Sequence, residues 1–301
     1  MASKVFEQSR EGIMITDANQ KLLMVNDAFS EITGYSRDEV LGKTPSVLSS
    51  GKHTNEFYEQ MWRQIREEGH WQGEIWNKHK SGRFYPEWLS ISQGKDKNGE
   101  VMQYIGVFTD MSKIKESEEH IHRLEHFDSL TNLVNRESLI KRLTKEIGLA
   151  EGTHKNIAVL FIDLDHFKNI NDTLGHYVGD KLLMEVGRRI SMLLQPDDQL
   201  GRQGGDEFIA VMPNADENEA EHMAEKILKS VASEMLLENL NLQITPSVGI
   251  AIYPQDGSDA GSLLKNADTA MYQAKNDGRN TYRFFTAEMQ KHAAKTMSIE
   301  S

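Results

Sequence analysis

GRQGGDEFIAVM, residues 201–212, sets two glycines against two carboxylates and follows them with a run fit for a buried strand. Adjacent glycines suit neither a helix interior nor a strand interior, so Gly204 and Gly205 predict a turn. Phe208 to Met212 then read as a strand entering a core. Asp206 and Glu207 are therefore expected at the rim of a sheet, beside backbone that no side chain screens.

A second acid pair ends IAVLFIDLD, residues 157–165. Alternate side chains of an extended chain share a face, so Asp163 and Asp165 are expected to project together where a buried strand emerges. An unpaired buried carboxylate costs several kcal/mol, which makes packing a poor reason for them. Strand-end capping and solvation is the plainer alternative. A hairpin through 201–212 would bring Asp206 and Glu207 near the end of the strand carrying Asp163. Three or four carboxylates converging there repel one another unless divalent cations intervene, and Mg²⁺ favours a few carboxylate oxygens plus phosphate. On this reading the glycines make room for a phosphate or sugar and the acids hold metal.

Other polar groups are spaced to complete such a site. HFKNINDTLGHYVGD, residues 166–180, offers backbone amides and Lys168 to phosphates. Asn171, His176 and Asp180 follow, able to hydrogen-bond a base edge and a sugar. A carboxylate accepting from guanine N1–H and the 2-amino group would discriminate against adenine. In AKNDGRN, Lys275 and Arg279 are cations suited to phosphate; a basic helix C-terminus is the bland alternative.

Composition excludes other chemistries. The 301 residues carry net charge −12 and no cysteine. Disulfides, thiolate catalysis and cysteine-ligated metals are excluded, and no general attraction to nucleic acid or anionic membrane is expected. No apolar run nears the roughly 18 residues of a membrane span. A cytoplasmic protein is the expectation, with any anchor outside this chain.

Residues 301 long suffice for two domains. All four tryptophans, Trp62, Trp71, Trp76 and Trp88, precede residue 100, whereas the paired acids follow residue 125. The first half predicts an antiparallel sheet: strand candidates 70–79, 83–95 and 100–111 are separated by HKSGR and KDKNGE, which carry turn residues. SKIKESEEHIHRLEHF, residues 112–127, predicts a helix whose apolar stripe is Ile114, Ile121 and Leu124. It is either a solvated connector or a short parallel coiled coil between two chains. His120, His122 and His126 lie on it without metal-site spacing. The second half alternates helix and strand in the order of a ferredoxin-like α/β sandwich.

Four motifs in order, DSLTNLVNR (128–136), DLDHFKNINDTLGHYVGD (163–180), RQGGDEF (202–208) and NADTAMYQAKNDGRN (266–280), resemble the GGDEF family of diguanylate cyclases. NDAFSEITGYSRDEVLG, HWQGEIWNKHKSG and YIGVFTDMS resemble a PAS sensory domain. The implied layout is a PAS domain over 1–111, a linker helix over 112–127, a GGDEF domain over 128–285 and a C-terminal helix over 286–301. The resemblance implies that two GTP become cyclic di-GMP and two pyrophosphates. Asp163, the Leu164 carbonyl, Glu207 and also Asp206 would hold Mg²⁺ or Mn²⁺, two per active site. Asp206 is the implied base for the ribose 3′-hydroxyl. Phe167 and Lys168 match the phosphate loop, with Lys168 a candidate transition-state stabiliser. Gly204 and Gly205 shape the binding turn; Asn171, His176 and Asp180 match nucleotide-binding positions; Lys275 and Arg279 match the phosphate-gripping cations. A product with two equivalent linkages needs two facing sites, hence a homodimer through the linker helix and PAS domain.

Three departures bear on function. The RxxD product-inhibition motif of many relatives is here QPDD, with Gln195 for the arginine and Asp198 kept, so weak inhibition is expected. Asn132 stands where a second glycine is common. TAEMQKHAAKTMSIES (286–301) resembles the helix that leads into an EAL phosphodiesterase domain. The alternative to a cyclase is therefore a silent GTP-binding module controlling a missing EAL domain. Flavin is a candidate PAS ligand, against plain packing of Trp71, Trp76 and Trp88. His53 is a weaker candidate as a haem ligand.

Overall fold

The structure, a computed structural model, describes residues 2–153 and 155–289. From residue 290 on, the helix expected over 286–301 lies outside the described residues. The chain divides into two units, Met1–His120 and Ile121–Ser301.

The first unit runs α1 (Ala2–Gln8), β1 (Gly12–Asp17), β2 (Leu22–Val25), α2 (Asp27–Thr33), α3 (Arg37–Val40), α4 (Asn55–Glu68), β3 (His70–Lys78), β4 (Phe84–Lys95) and β5 (Val101–Asp110). Its five strands order as β2-β1-β5-β4-β3, every neighbour antiparallel, as the turn signals predict. Period-two patterning shows on β4, where Tyr85, Glu87, Leu89 and Ile91 are buried and Phe84 and Trp88 are exposed. Phe29, Leu48, Ile65 and Phe108 pack under the inner face. Buried Asn26 caps α2 through Phe29 N–H, and the same oxygen accepts from Ile13 N–H, so one amide ties helix to sheet. The tryptophans have separate fates. Trp71 is core, Trp62 is partly buried against it, Trp76 lies under Lys52 and Trp88 is outside. The His53 Nε2 accepts the Trp76 N–H at 2.8 Å, an engagement that speaks against a haem ligand.

Helix α5 (Ser112–His126) carries the chain onward. Asp110 opens it by accepting the Ser112 N–H at 2.8 Å. Ile114, Ile121 and Leu124 are all exposed along it.

The second unit continues with β6 (Val134–Asn135), α6 (Arg136–Ala150), β7 (Ile157–Leu164), α7 (Phe167–Leu174), α8 (His176–Ser191), β8 (Gln199–Gly204), β9 (Glu207–Pro213), α9 (Glu217–Val231), β10 (Met235–Leu237), β11 (Leu240–Leu242), β12 (Pro246–Tyr253), α10 (Ala260–Asn276) and β13 (Tyr282–Phe284). The sheet order is β13-β12-β7-β9-β8-β6. Its centre, β12-β7-β9-β8, is antiparallel throughout, the ferredoxin-like arrangement expected, and the two edge strands add parallel pairs. Helices start on side-chain caps: Asn135 for α6, and reciprocal capping boxes at Asp216 for α9 and Asp259 for α10.

β7 and β12 are buried along all eight residues each, because helices cover both faces. Successive β7 side chains go to different cores. Ala158, Leu160, Ile162 and Leu164 join α8 and α9, while Ile157, Val159 and Phe161 join α6 and α10. Asp163 falls on the α10 side by the same alternation, which is what makes it available to that helix.

Candidate active site

The hairpin at the opening motif is as tight as it can be. β8 ends at Gly204, β9 begins at Glu207, and Gly205–Asp206 form a two-residue loop. Gly204 has φ +146° and Gly205 φ +53°, values that side-chain-bearing residues seldom adopt, and an added Cβ on either would meet nothing within 4 Å. The glycines therefore serve the turn and leave open space beside it. Arg202 fastens the loop. Its Nε and Nη2 donate to the Gly205 carbonyl at 3.0 and 2.7 Å, and its Nη1 donates to Asp128 at 3.0 Å. Asp128 in turn accepts Thr131 N–H and Oγ1–H, so DSLTNLVNR acts as a bracket for the GGDEF turn. Asn132 takes φ +56° there, a conformation that asparagine tolerates in place of glycine.

Register brings the acids together. Asp163 on β7 pairs with Glu207 on β9, and Asp206 sits one residue away on the loop. The Lys275 Nζ, from α10, donates to Asp163 Oδ1 at 2.8 Å. Asp163 is 5% exposed, and its carboxyl is held above the usual range by burial, against the pull of Lys275 and with a push from Asp206 and Asp165. Glu207 moves up by burial and then by repulsion from Asp163, Asp268 and Asp206. Asp268, solvent-facing on α10, also moves up by desolvation while Lys275 pulls it down. A single ammonium thus leaves these acids under-neutralised, an arrangement that a multivalent cation would relieve.

Asp163 and Asp165 do not work as a pair. Asp165 is buried and held by Thr245 Oγ1, Ser247 Oγ and Asn280 N–H at 2.6, 2.7 and 3.1 Å. Its role is to tie the end of β7 to β12 and to the segment after α10.

Among the described residues, no three acid or imidazole side chains form a ready metal cage. The donor chemistry nonetheless suits Mg²⁺, which keeps waters and substrate phosphates in its shell. Asp163 and Glu207 supply hard carboxylate oxygens. Asp165 N–H donates to Thr245 C=O, so ladder alternation turns the Leu164 carbonyl toward the β9 side, beyond the last β7–β9 pair.

Five further predicted residues lie on α7, which starts directly after β7, and on α8, which follows it. Phe167 is buried; Lys168 is exposed; Asn171 is half-buried; His176 and Asp180 are exposed on the first turns of α8. An added Cβ on Gly179 would lie 1.9 Å from Asn171 Oδ1, so this glycine sets how closely α8 approaches the amide. Lys275 and Arg279 part company. Lys275 faces Asp163, whereas Arg279 lies beyond the end of α10 at φ +64° and is exposed. Asp268, Arg202, Asp128 and Gly179 were missed in the sequence. Only Asp268 had a usable signal, its spacing of two helical turns from Lys275 on one face.

A family profile described as "Diguanylate cyclase, GGDEF domain" matches residues 125–281. The chain belongs to the GGDEF family. A "PAS domain" profile matches residues 10–113, so a PAS domain precedes the GGDEF domain. The protein is 41% identical over 172 residues to the bifunctional diguanylate cyclase/cyclic di-GMP phosphodiesterase MucR of Pseudomonas aeruginosa, covering 57% of this chain and 25% of MucR. It is 36% identical over 184 residues to the diguanylate cyclase DgcP of Escherichia coli, covering 61% of this chain and 54% of DgcP. The chain thus spans a quarter to about half the length of these curated relatives. The solved GGDEF domain of TpbB (YfiN) from Pseudomonas aeruginosa superposes with a TM-score of 0.55 at 36% identity, covering 56% of this chain and 99% of that one. Among the described residues no helix is long and apolar enough to cross a membrane.

Proposed function

We propose that the GGDEF domain is a diguanylate cyclase that converts two GTP into cyclic di-GMP and two pyrophosphates, with the PAS domain as its sensor. The observation that carries this reading is the meeting of Asp163 and Glu207 across neighbouring strands, with Asp206 on the adjoining turn and Lys275 against Asp163.

Asp163, Glu207 and the Leu164 carbonyl hold Mg²⁺ or Mn²⁺ in this reading. Bound there, the cation supplies charge to offset the phosphates and acidity for the ribose 3′-hydroxyl. Asp206 accepts the 3′-hydroxyl proton as the oxygen forms its bond to the α-phosphorus of the facing nucleotide and the bond to pyrophosphate breaks. Lys168 and Lys275 neutralise phosphate charge, and Lys275 is released from Asp163 to do so. Asn171 and Asp180 orient the guanine edge, and His176 lies beside them. Gly204 and Gly205 keep side chains out of the space beside the turn.

One chain holds one nucleotide, so two chains face each other across a two-fold axis. The exposed stripe Ile114, Ile121 and Leu124 on α5 supports a helix pair as the joint. Incubating the protein with GTP and Mg²⁺ above its dimerisation concentration, with product resolved chromatographically, tests the reading. Cyclic di-GMP that disappears in Asp206→Asn and Glu207→Gln supports it.

A second reading, a silent GTP-binding module controlling a further domain, is favoured by the Asp163–Lys275 ion pair and by the chain spanning 25% of a bifunctional relative. GTP binding without product at dimer concentrations would select it.

A further inference from the structure

His122 and His126 lie one turn apart on α5, with ring centres 4.6 Å apart and ring planes at 62°. Taken as three with His120, the histidines of this helix share no face, but a spacing of four residues puts these two on one. Two imidazoles on one tetrahedral Zn²⁺ need ring centres roughly 5 Å apart, given Zn–N bonds of about 2.1 Å. The pair is therefore already close to a chelating geometry. His126 is also held from outside its own helix: its Nδ1 lies 3.0 Å from Ser138 Oγ, in the first turn of α6. When Nδ1 carries the proton and donates to Ser138, Nε2 carries the lone pair, which is the tautomer a metal needs. Neither His126 Nε2 nor His122 has a hydrogen-bond partner among the described residues. His122 is exposed and His126 half-buried, so the pair is open to solvent.

We propose that His122 and His126 form a clip for a borderline transition-metal cation, with Zn²⁺ the best match and water in the remaining positions. Imidazole nitrogen selects Zn²⁺, Cu²⁺ or Ni²⁺, whereas Mg²⁺ takes oxygen, so this site and the acids around Asp163 differ in the ion they hold. Among the described residues no third acid or imidazole closes the shell, and a structural zinc site would need four protein ligands. The clip is thus an exchangeable site. Its place gives binding a consequence. The pair lies about a third of a turn around α5 from the apolar stripe of Ile114, Ile121 and Leu124, so metal binding leaves that stripe clear. The last turn of α5 is already joined to the start of the GGDEF domain, where Asn135 Nδ2 donates to the Glu125 carbonyl at 2.8 Å and Phe127 bridges Val134. A cation on His122 and His126 extends that grip by one turn up the linker helix. None of this depends on the cyclase reading, since no residue of the clip takes part in that chemistry.

Calorimetric titration of the full-length protein with Zn²⁺, in excess Mg²⁺ to fill the carboxylate site, tests the proposal. One Zn²⁺ per chain should bind, and Ser138→Ala, which removes only the group orienting His126, should weaken it about tenfold. His122→Gln, a change on the exposed helix face, should weaken it further still, because one imidazole makes no chelate. Paramagnetic resonance of the Cu²⁺-loaded protein supplies a readout that folding does not move: two coupled nitrogens in the parent chain and one in His122→Gln. The proposal is overturned if the parent chain binds no Zn²⁺, if His122→Gln or Ser138→Ala binds it as tightly as the parent, or if the Cu²⁺ spectrum of the parent lacks the second nitrogen.

Discussion

Gly249 and Ala267 touch backbone to backbone: an added Cβ on Gly249 would lie 1.9 Å from the Ala267 carbonyl oxygen and 2.1 Å from the Met271 amide nitrogen. Strand β12 and helix α10 are thus in direct contact, and α10 carries Lys275 to Asp163 and Asp268 toward Glu207. No flexible side chain can yield, so Gly249→Ala must shift the helix. Overpacking of this kind costs about 1–3 kcal/mol. The expected outcome is a lower unfolding midpoint for the GGDEF domain and loss of GTP turnover beyond what the lost stability explains. Calorimetry and product formation on the same preparation check it; an unshifted midpoint with full turnover contradicts it.

Arg202 predicts an effect of shape rather than charge. Its fork reaches the Gly205 carbonyl and Asp128 together, a geometry that lysine lacks. Arg202→Lys should slow turnover about tenfold while leaving GTP affinity nearly unchanged, because the hairpin carrying Asp206 loosens. Asp128→Asn should add little on top of it. A double-mutant cycle on turnover measures that coupling, and additive losses would count against it.

Glu87 gives the PAS domain a pH-dependent stability. Burial, with a contribution from Asp110, raises its carboxyl from 4.5 to about 7, against the pull of Asn77 and of the neighbouring Tyr85 hydroxyl. Arg83, the cation facing this group of acids, lies 3.8 Å from Asp110. The folded value lies above the unfolded one, so between about 4.5 and about 7 the folded chain holds a proton that the unfolded chain has lost. Stability therefore falls as pH rises through that window, by about 3 kcal/mol in all. Tryptophan fluorescence follows the PAS domain alone, because all four tryptophans lie there. Denaturation from pH 5 to 8 should show the decline in the parent chain and a flatter profile in Glu87→Gln. Glu87 also pairs in register with Asp110, the residue that opens α5, so its charge state adjoins the linker helix.

Gln195 predicts weak product inhibition. Its N–H donates to Asp198 Oδ2 and its carbonyl accepts from Asp198 N–H, so the motif is a closed turn that presents no guanidinium. Initial rates should change less than about twofold at low micromolar cyclic di-GMP, and Gln195→Arg should introduce inhibition by restoring a cationic fork. Strong inhibition of the parent chain that vanishes in Asp198→Ala would refute this.

Several features were legible because they are local. The buried run ending in Asp163 predicts a central strand, and the Gly204–Gly205 pair predicts a turn, from backbone preferences within a few residues. Hairpin signals predict the PAS strands for the same reason. Asp165 was misread because alternation describes which face a side chain leaves by, and three donors from β12 and beyond α10 decided what it met. Arg279 follows the end of α10 at Asn276, so the loop rather than the helical period sets its place relative to Lys275.

By itself the sequence determined the two-domain order, the strand and helix periods, and the acids and cations available for phosphate chemistry. Tertiary structure alone decided that Lys275 reaches Asp163, that Arg202 clamps the Gly205 carbonyl, that Gly249 lets α10 rest on β12, and that Glu87 is buried against Asn77. The physical reason is range. Backbone propensity acts between neighbours in the chain, whereas charge pairing, steric fit and desolvation depend on distances between segments that only the packed sheet and helices bring together.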